Sequence, residues 1–146
     1  MEYSAAVQDH FLHPRNHGAV QDPDGEGRAE NPCCGDAMAI SLRVGEENEI
    51  AAIGFRTFGC AAAIATASAT TELAKGRTLD EAEKIEFAEV VELLGGLPDA
   101  KMHCAQLAIR TLRAAISAAR ARKNAPEFAA GCPGVCGSCA GCPSAR

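Results

Sequence analysis

The chain lacks an excess of positive charge. Its 146 residues hold 14 Lys and Arg against 19 Asp and Glu, a formal net charge of −5. A balance of that sign argues against a nucleic-acid or anionic-membrane role. Long apolar runs are missing too, and none reaches the ~20 residues that a spanning helix needs. The opening Met1-Glu2-Tyr3-Ser4 has no basic stretch leading into an apolar core, so it does not read as a secretory signal. These absences point to the cytoplasm, with neither membrane nor nucleic acid as partner. They also set the meaning of the eight cysteines. In a reducing compartment, cysteines bind metal or do sulfur chemistry rather than form a disulfide framework.

What is present suits one globular domain with a real core: 47% of the residues are hydrophobic. Tyr3 to Leu12 reads as a short helix stopped by His13-Pro14-Arg15-Asn16, and residues 17 to 32 as a loop rich in Gly, Asp and Pro. Met38, Ile40, Leu42 and Val44 alternate with smaller or polar residues, which predicts a strand with one buried face. Gly45-Glu46-Glu47-Asn48 turns the chain into a second strand, Ile50 to Phe58, with Ala51, Ile53, Phe55 and Thr57 on one face. A third strand is expected from the 20–32 region. Ala61 to Ala74 reads as a helix of small residues stopped at Lys75-Gly76. Thr78-Leu79-Asp80-Glu81 is a capping box opening a short helix, and Glu86 to Leu94 makes another. From about Lys101 to Asn124, Cys104, Leu107, Ala108, Thr111, Leu112, Ala115, Ile116 and Ala119 follow one helical stripe. Arg110, Arg113, Arg120, Arg122 and Lys123 fall on that helix, as a solvated face or a docking face for an acidic partner. The expected class is α+β: a small antiparallel sheet of about three strands on several helices. Residues 1–124 form the domain, and 125–146 form a cysteine-rich C-terminal tail.

Three separated cysteines carry the chemistry. Cys34 precedes Gly35-Asp36, Cys60 follows Phe58-Gly59, and Cys104 follows Lys101-Met102-His103. Each stands where a loop meets a regular element. Cys60 and Cys104 fall at predicted helix N-termini, where free amides and the helix dipole favour the thiolate. Asp36 offers an oxygen ligand, a base, a destabilising charge or merely a turn residue. His103 offers a fourth ligand or lies outside the set. Three thiolates with His or Asp would complete a tetrahedral site for Zn²⁺ or hold one side of an iron–sulfur cluster. Lys101 is a solvated lysine or a charge that steers sulfur, and Cys33 is expected to point away from Cys34 as a bystander.

The tail holds Cys132, Cys136, Cys139 and Cys142 with glycines between them. The C-x₃-C-x₂-C-x₂-C spacing is a ferredoxin-type run read backwards, which is not the same motif. It allows a second metal or cluster site, or a tail without fixed structure until metallated or oxidised.

Cys34-Gly35-Asp36, Phe58-Gly59-Cys60-Ala61-Ala62-Ala63-Ile64-Ala65 and Lys101-Met102-His103-Cys104 together resemble the three signatures of the IscU/NifU iron–sulfur scaffold family. Tyr3-Ser4, Pro14-Arg15-Asn16 and Thr78-Leu79-Asp80-Glu81-Ala82 also match, and the resemblance covers about residues 2 to 123. Gly96-Leu97-Pro98 ahead of Lys101 leans toward the N-terminal domain of NifU. The resemblance implies a compact α+β fold. It implies a carrier, not an enzyme, that takes persulfide sulfur from a cysteine desulfurase, gathers iron, builds a labile [2Fe–2S] cluster and passes it to apo-proteins. Carried over, Cys34, Cys60 and Cys104 would be ligands and persulfide acceptors, and His103 the possible fourth ligand. Asp36 would keep the cluster labile, and Lys101 would assist. The oligomeric state stays open between monomer and dimer, with dimers for cluster-bound forms and monomers for apo forms as one arrangement.

Three departures qualify the match. Leu97-Pro98-Asp99-Ala100-Lys101 replaces the family's Leu-Pro-Pro-Val-Lys, which puts recognition by its Hsp70-type chaperone in doubt. Thr66-Ala67-Ser68 only partly keeps the serines that follow the second signature. The four-cysteine tail has no family counterpart. Two alternatives compete: a zinc-dependent sulfurtransferase of the SufU type, and an electron carrier using a tail cluster. The SufU relatives carry an insertion that is missing between Cys60 and Cys104.

Overall fold

A computed structural model describes residues 3–31 and 35–124. The elements are α1 (Ala5–Leu12), β1 (Gly25–Asn31), β2 (Asp36–Val44), β3 (Ile50–Phe58), α2 (Ala61–Ala74), α3 (Leu79–Glu83), α4 (Phe87–Leu93), a 3₁₀ turn (Asp99–Lys101) and α5 (Met102–Asn124). The strands form one antiparallel sheet in the order β1-β2-β3, so the arrangement is α+β as expected.

One face of the sheet supplies the core. Met38, Ile40 and Leu42 of β2 are buried beside Ile53 and Phe55 of β3. The stripe Leu107, Ala108, Thr111, Leu112, Ala115, Ile116 and Ala119 of α5 is buried as well. Helix α5 crosses β1 at backbone distance. A Cβ added to Gly27 would stand 2.3 Å from the Ala115 nitrogen and 2.5 Å from the Thr111 carbonyl oxygen. On Gly25 it would stand 2.4 Å from the Ala115 carbonyl oxygen. Strand β1 therefore runs Gly-Glu-Gly-Arg-Ala-Glu-Asn, poor in the usual strand formers, because the helix fills the space their side chains would need.

Strand β3 differs in detail from its sequence pattern. Ala51 is exposed and Ile50 is buried. The pairing slips between Arg43 and Val44: Arg43 opposes Ala52 and Val44 opposes Ile50. Ala51 is skipped as the extra residue of a bulge, so alternation resumes only beyond it.

The basic side chains of α5 largely turn back onto the protein. Arg110 donates to the Glu30 carbonyl at 3.2 Å and Arg122 to the Pro23 carbonyl at 2.8 Å. Arg113 donates to the Ile85 carbonyl at 3.3 Å, and Arg120 pairs with Asp80 and Glu83. These contacts tie α3 and the β1 edge to α5. Helix α1 is held differently. Its buried His10 places Nδ1 2.8 Å from the Ser68 hydroxyl of α2, which also accepts from the Arg15 backbone N–H at 2.8 Å. The long helix and the sheet thus form a fixed frame, and the site lies where their ends meet. No described helix is long and apolar enough to cross a membrane.

Candidate functional site

Asp36 opens β2, and β3 ends beside it, because Ala37 pairs with Phe58. Gly59 then leads into Cys60, the N-cap residue of α2. Cys60 accepts the Ala63 amide on its carbonyl at 3.0 Å, while its sulfur makes no capping bond and stays available. From the other side, Leu97-Pro98 and the 3₁₀ turn bring Lys101 in, and the first turn of α5 supplies His103 and Cys104. Side chains more than sixty positions apart in sequence converge this way.

The Cys104 sulfur is the hub. It lies 3.9 Å from the Cys60 sulfur, 3.7 Å from Asp36 Oδ2 and 3.6 Å from His103 Nε2. His103 Nε2 lies 4.0 Å from the same Asp36 oxygen. Lys101 Nζ stands 3.7 Å from the Cys60 sulfur. Cys104 is fully buried and Asp36 nearly so, whereas Cys60, His103 and Lys101 are half-exposed. Cys34, Cys33 and the tail's Cys132, Cys136, Cys139 and Cys142 lie outside the described residues.

Burial reverses one sequence expectation. Cys104 stands in the first turn of a helix, yet its thiol is pushed far above the ordinary range rather than toward the thiolate. Loss of solvent is the largest cause, and the neighbouring Cys60 sulfur and Asp36 carboxylate add to it. A helix terminus cannot offset desolvation of that degree for a residue with no exposed surface. Lys101 moves in the direction that keeps its charge: the adjacent Cys60 sulfur raises its pKa above the usual lysine value.

Three supporting residues carry weaker sequence signals. The Thr66 hydroxyl donates to the Ala63 carbonyl at 3.0 Å and faces the Cys104 carbonyl at 3.3 Å, linking the two helices behind the sulfurs. Tyr3 packs against the small apolar cluster of Ala62, Ala63 and Cys104, as does Cys60. Gly59 leaves room for the Asp36 carboxylate. Tyr3 and Thr66 stand in stretches that the family resemblance touches, but no local pattern of charge, spacing or ligand chemistry marks either as a neighbour of the sulfurs.

The donors suit a soft or borderline metal. Sulfur ligands about 2.3 Å from a tetrahedral ion stand about 3.8 Å from one another. The contacts of 3.6, 3.7 and 3.9 Å around Cys104 are close to that edge length. The candidate ligand atoms of Asp36, His103 and Cys104 lie within 4.8 Å of one another, and Cys60 joins them through Cys104.

Residues 2–126 match the model of the NifU-like N-terminal domain. The chain belongs to that family. Within the NifU-like family, it is 56% identical over 114 residues to iron–sulfur cluster assembly scaffold protein IscU 1 of Archaeoglobus fulgidus, covering 78% of this chain and 74% of that protein. It is 45% identical over 119 residues to the scaffold protein IscU of Azotobacter vinelandii, covering 80% of this chain and 92% of the relative. Its fold matches the crystal structure of an iron–sulfur cluster assembly scaffold protein of the SUF system from Fervidobacterium islandicum. That match has a TM-score of 0.64 at 21% identity, over 78% of this chain and 96% of the other. The elements that carry Asp36, Cys60 and Cys104 all lie within the family's matched span.

Proposed function

We propose that this NifU-like protein is a scaffold for iron–sulfur cluster assembly, a carrier rather than an enzyme. It accepts persulfide sulfur from a cysteine desulfurase, gathers iron, builds a [2Fe–2S] cluster and passes it to apo-proteins in the cytoplasm. The observation that carries this reading is the meeting of Cys60, Cys104, Asp36 and His103 at 3.6 to 4.0 Å, with a lysine on the accessible sulfur.

Each group has a part in handling this cargo. Attack by a Cys60 thiolate on the outer sulfur of a donor persulfide forms a new S–S bond and releases the donor thiolate. The Lys101 ammonium attracts anionic sulfur at that position. Turning each sulfane sulfur into sulfide takes two electrons, which an outside reductant supplies. Cys60, Cys104 and Cys34 then hold the product, with His103 or Asp36 as the remaining ligand. A carboxylate is a harder ligand than a thiolate and holds iron less firmly. Asp36 therefore makes the product easy to release. Zn²⁺ would fit the same donors and would compete with iron.

The division into a scaffold domain, 1–124, and a tail, 125–146, belongs to this proposal, with Cys132, Cys136, Cys139 and Cys142 as a second metal site. Asp99-Ala100 alters the segment that an Hsp70-type chaperone would read, so such a chaperone is not among the proposed partners. Anaerobic incubation with ferrous iron, cysteine and a cysteine desulfurase tests the reading. A [2Fe–2S] absorption spectrum on the protein is expected. Tight zinc binding with no such chromophore would overturn it.

A further inference from the structure

Gly59 is not required by backbone conformation. Its φ is not among the positive values found at Gly18, Gly35, Gly76, Gly95 and Gly96. The space around it gives a different reason. A Cβ built on Gly59 would lie 2.5 Å from Asp36 Oδ1 and 2.8 Å from Asp36 Cγ, well inside contact distance. The Ala63 methyl would stand at 3.2 Å, which a small shift relieves. The Asp36 carboxylate therefore rests one oxygen on the bare face of Gly59. It presents the other to the Cys104 sulfur at 3.7 Å and His103 Nε2 at 4.0 Å. It is buried, so it has little free space into which it can retreat.

We infer that Gly59 is a positioning residue: its missing side chain sets where the Asp36 carboxylate stands against the metal-binding side chains. The inference rests on the scaffold reading only for its consequence, which is how firmly the cargo is held. The steric relationship itself stands apart from that reading. A side chain at position 59 would displace the carboxylate from its place beside Cys104, and the metal ligands would change with no ligand removed. The effect belongs to the pair and vanishes when Asp36 is shortened, since the space its carboxylate fills is then open.

The test is a double-mutant cycle on the whole chain: the unaltered protein, Gly59→Ala, Asp36→Ala, and both together. Co²⁺ serves as the probe, read by its thiolate charge-transfer and ligand-field bands, with thermal unfolding measured in parallel. Gly59→Ala alone is expected to shift the bands and to weaken Co²⁺ binding at least about threefold, a coupling of the size seen between touching residues. In the Asp36→Ala background the same change should alter neither. If Gly59→Ala alone does not fold but the double variant does, the clash with Asp36 is shown by rescue. Equal effects in both backgrounds would overturn the inference, as would no effect of Gly59→Ala in either background, or a double variant as unfolded as Gly59→Ala. Cobalt reports on the residues directly, so a failure to assemble clusters would count against the scaffold reading and leave this result standing.

Discussion

The sulfurs of Cys60 and Cys104 lie 3.9 Å apart, yet only Cys60 reaches solvent. Cys104 is sealed behind Ala62, Ala63 and Tyr3 and keeps its proton through neutral pH, because burial penalises its thiolate. In metal-free protein, an alkylating reagent at neutral pH should label Cys60 well ahead of Cys104. Peptide mass analysis over a time course would show the order. Equal labelling rates would mean that the cover over Cys104 opens freely.

A protonated Cys104 also makes metal binding depend on pH. The metal takes the thiolate, so binding at neutral pH releases about one proton from this residue. Affinity for Zn²⁺ or Co²⁺ should therefore rise with pH across the neutral range, and titration in buffers of differing ionisation enthalpy would count the proton. The same group sets the sign for metal-free stability. Its folded pKa is raised, so the unfolded chain loses the proton first, and stability should decline as pH climbs past the ordinary thiol value of 9.0.

Sequence pattern alone marked out the β2–β3 hairpin, the capping box at Thr78 and the long stripe of α5. Each rests on local chemistry: alternation, a reciprocal cap, or helical spacing. The first strand was visible only as a region, since Gly25 and Gly27 answer to a helix some ninety residues away. Ala51 falls on the buried face by alternation alone yet is exposed, because a bulge leaves no mark in an alanine-rich strand. At the site, Asp36, His103 and Cys104 could be named from short motifs, and Cys60 with them. The suppression of the Cys104 thiolate could not, because it arises from tertiary burial rather than from the helix end that holds it.

The backbone-distance crossing of α5 over β1 gives a strong stability prediction. Gly27→Ala places a methyl where the Ala115 nitrogen and Thr111 oxygen already stand. Main-chain atoms cannot swing aside as a long side chain can. The substitution should cost about 3 kcal/mol, the upper range for overpacking a core, measured by urea unfolding. The exposed and open Gly76, with φ 88°, is a control in which an alanine meets backbone strain but no neighbour.

His10 predicts the acid side of the stability profile. Burial first, and then the Arg15 guanidinium, lower its pKa below the ordinary 6.5, against the opposing pull of Glu72 and Asp9. The unfolded chain takes up the proton near 6.5 and the folded chain only at lower pH. This contribution is therefore complete above about 6.5 and is lost as pH falls through the folded value. His10→Gln should flatten that part of the curve, as followed by thermal unfolding between pH 5 and 7.5.

In the proposed function the site holds its cargo in order to release it, and Asp36 is the residue on which that release would depend. The most direct measurement is transfer of a preassembled [2Fe–2S] cluster to an apo-ferredoxin, comparing the unaltered protein with Asp36→Ala by circular dichroism. The unaltered protein should give up its cluster, while the variant should retain it longer and transfer more slowly. The same transfer rate from both proteins would contradict the account and reduce Asp36 to a turn residue at the start of β2.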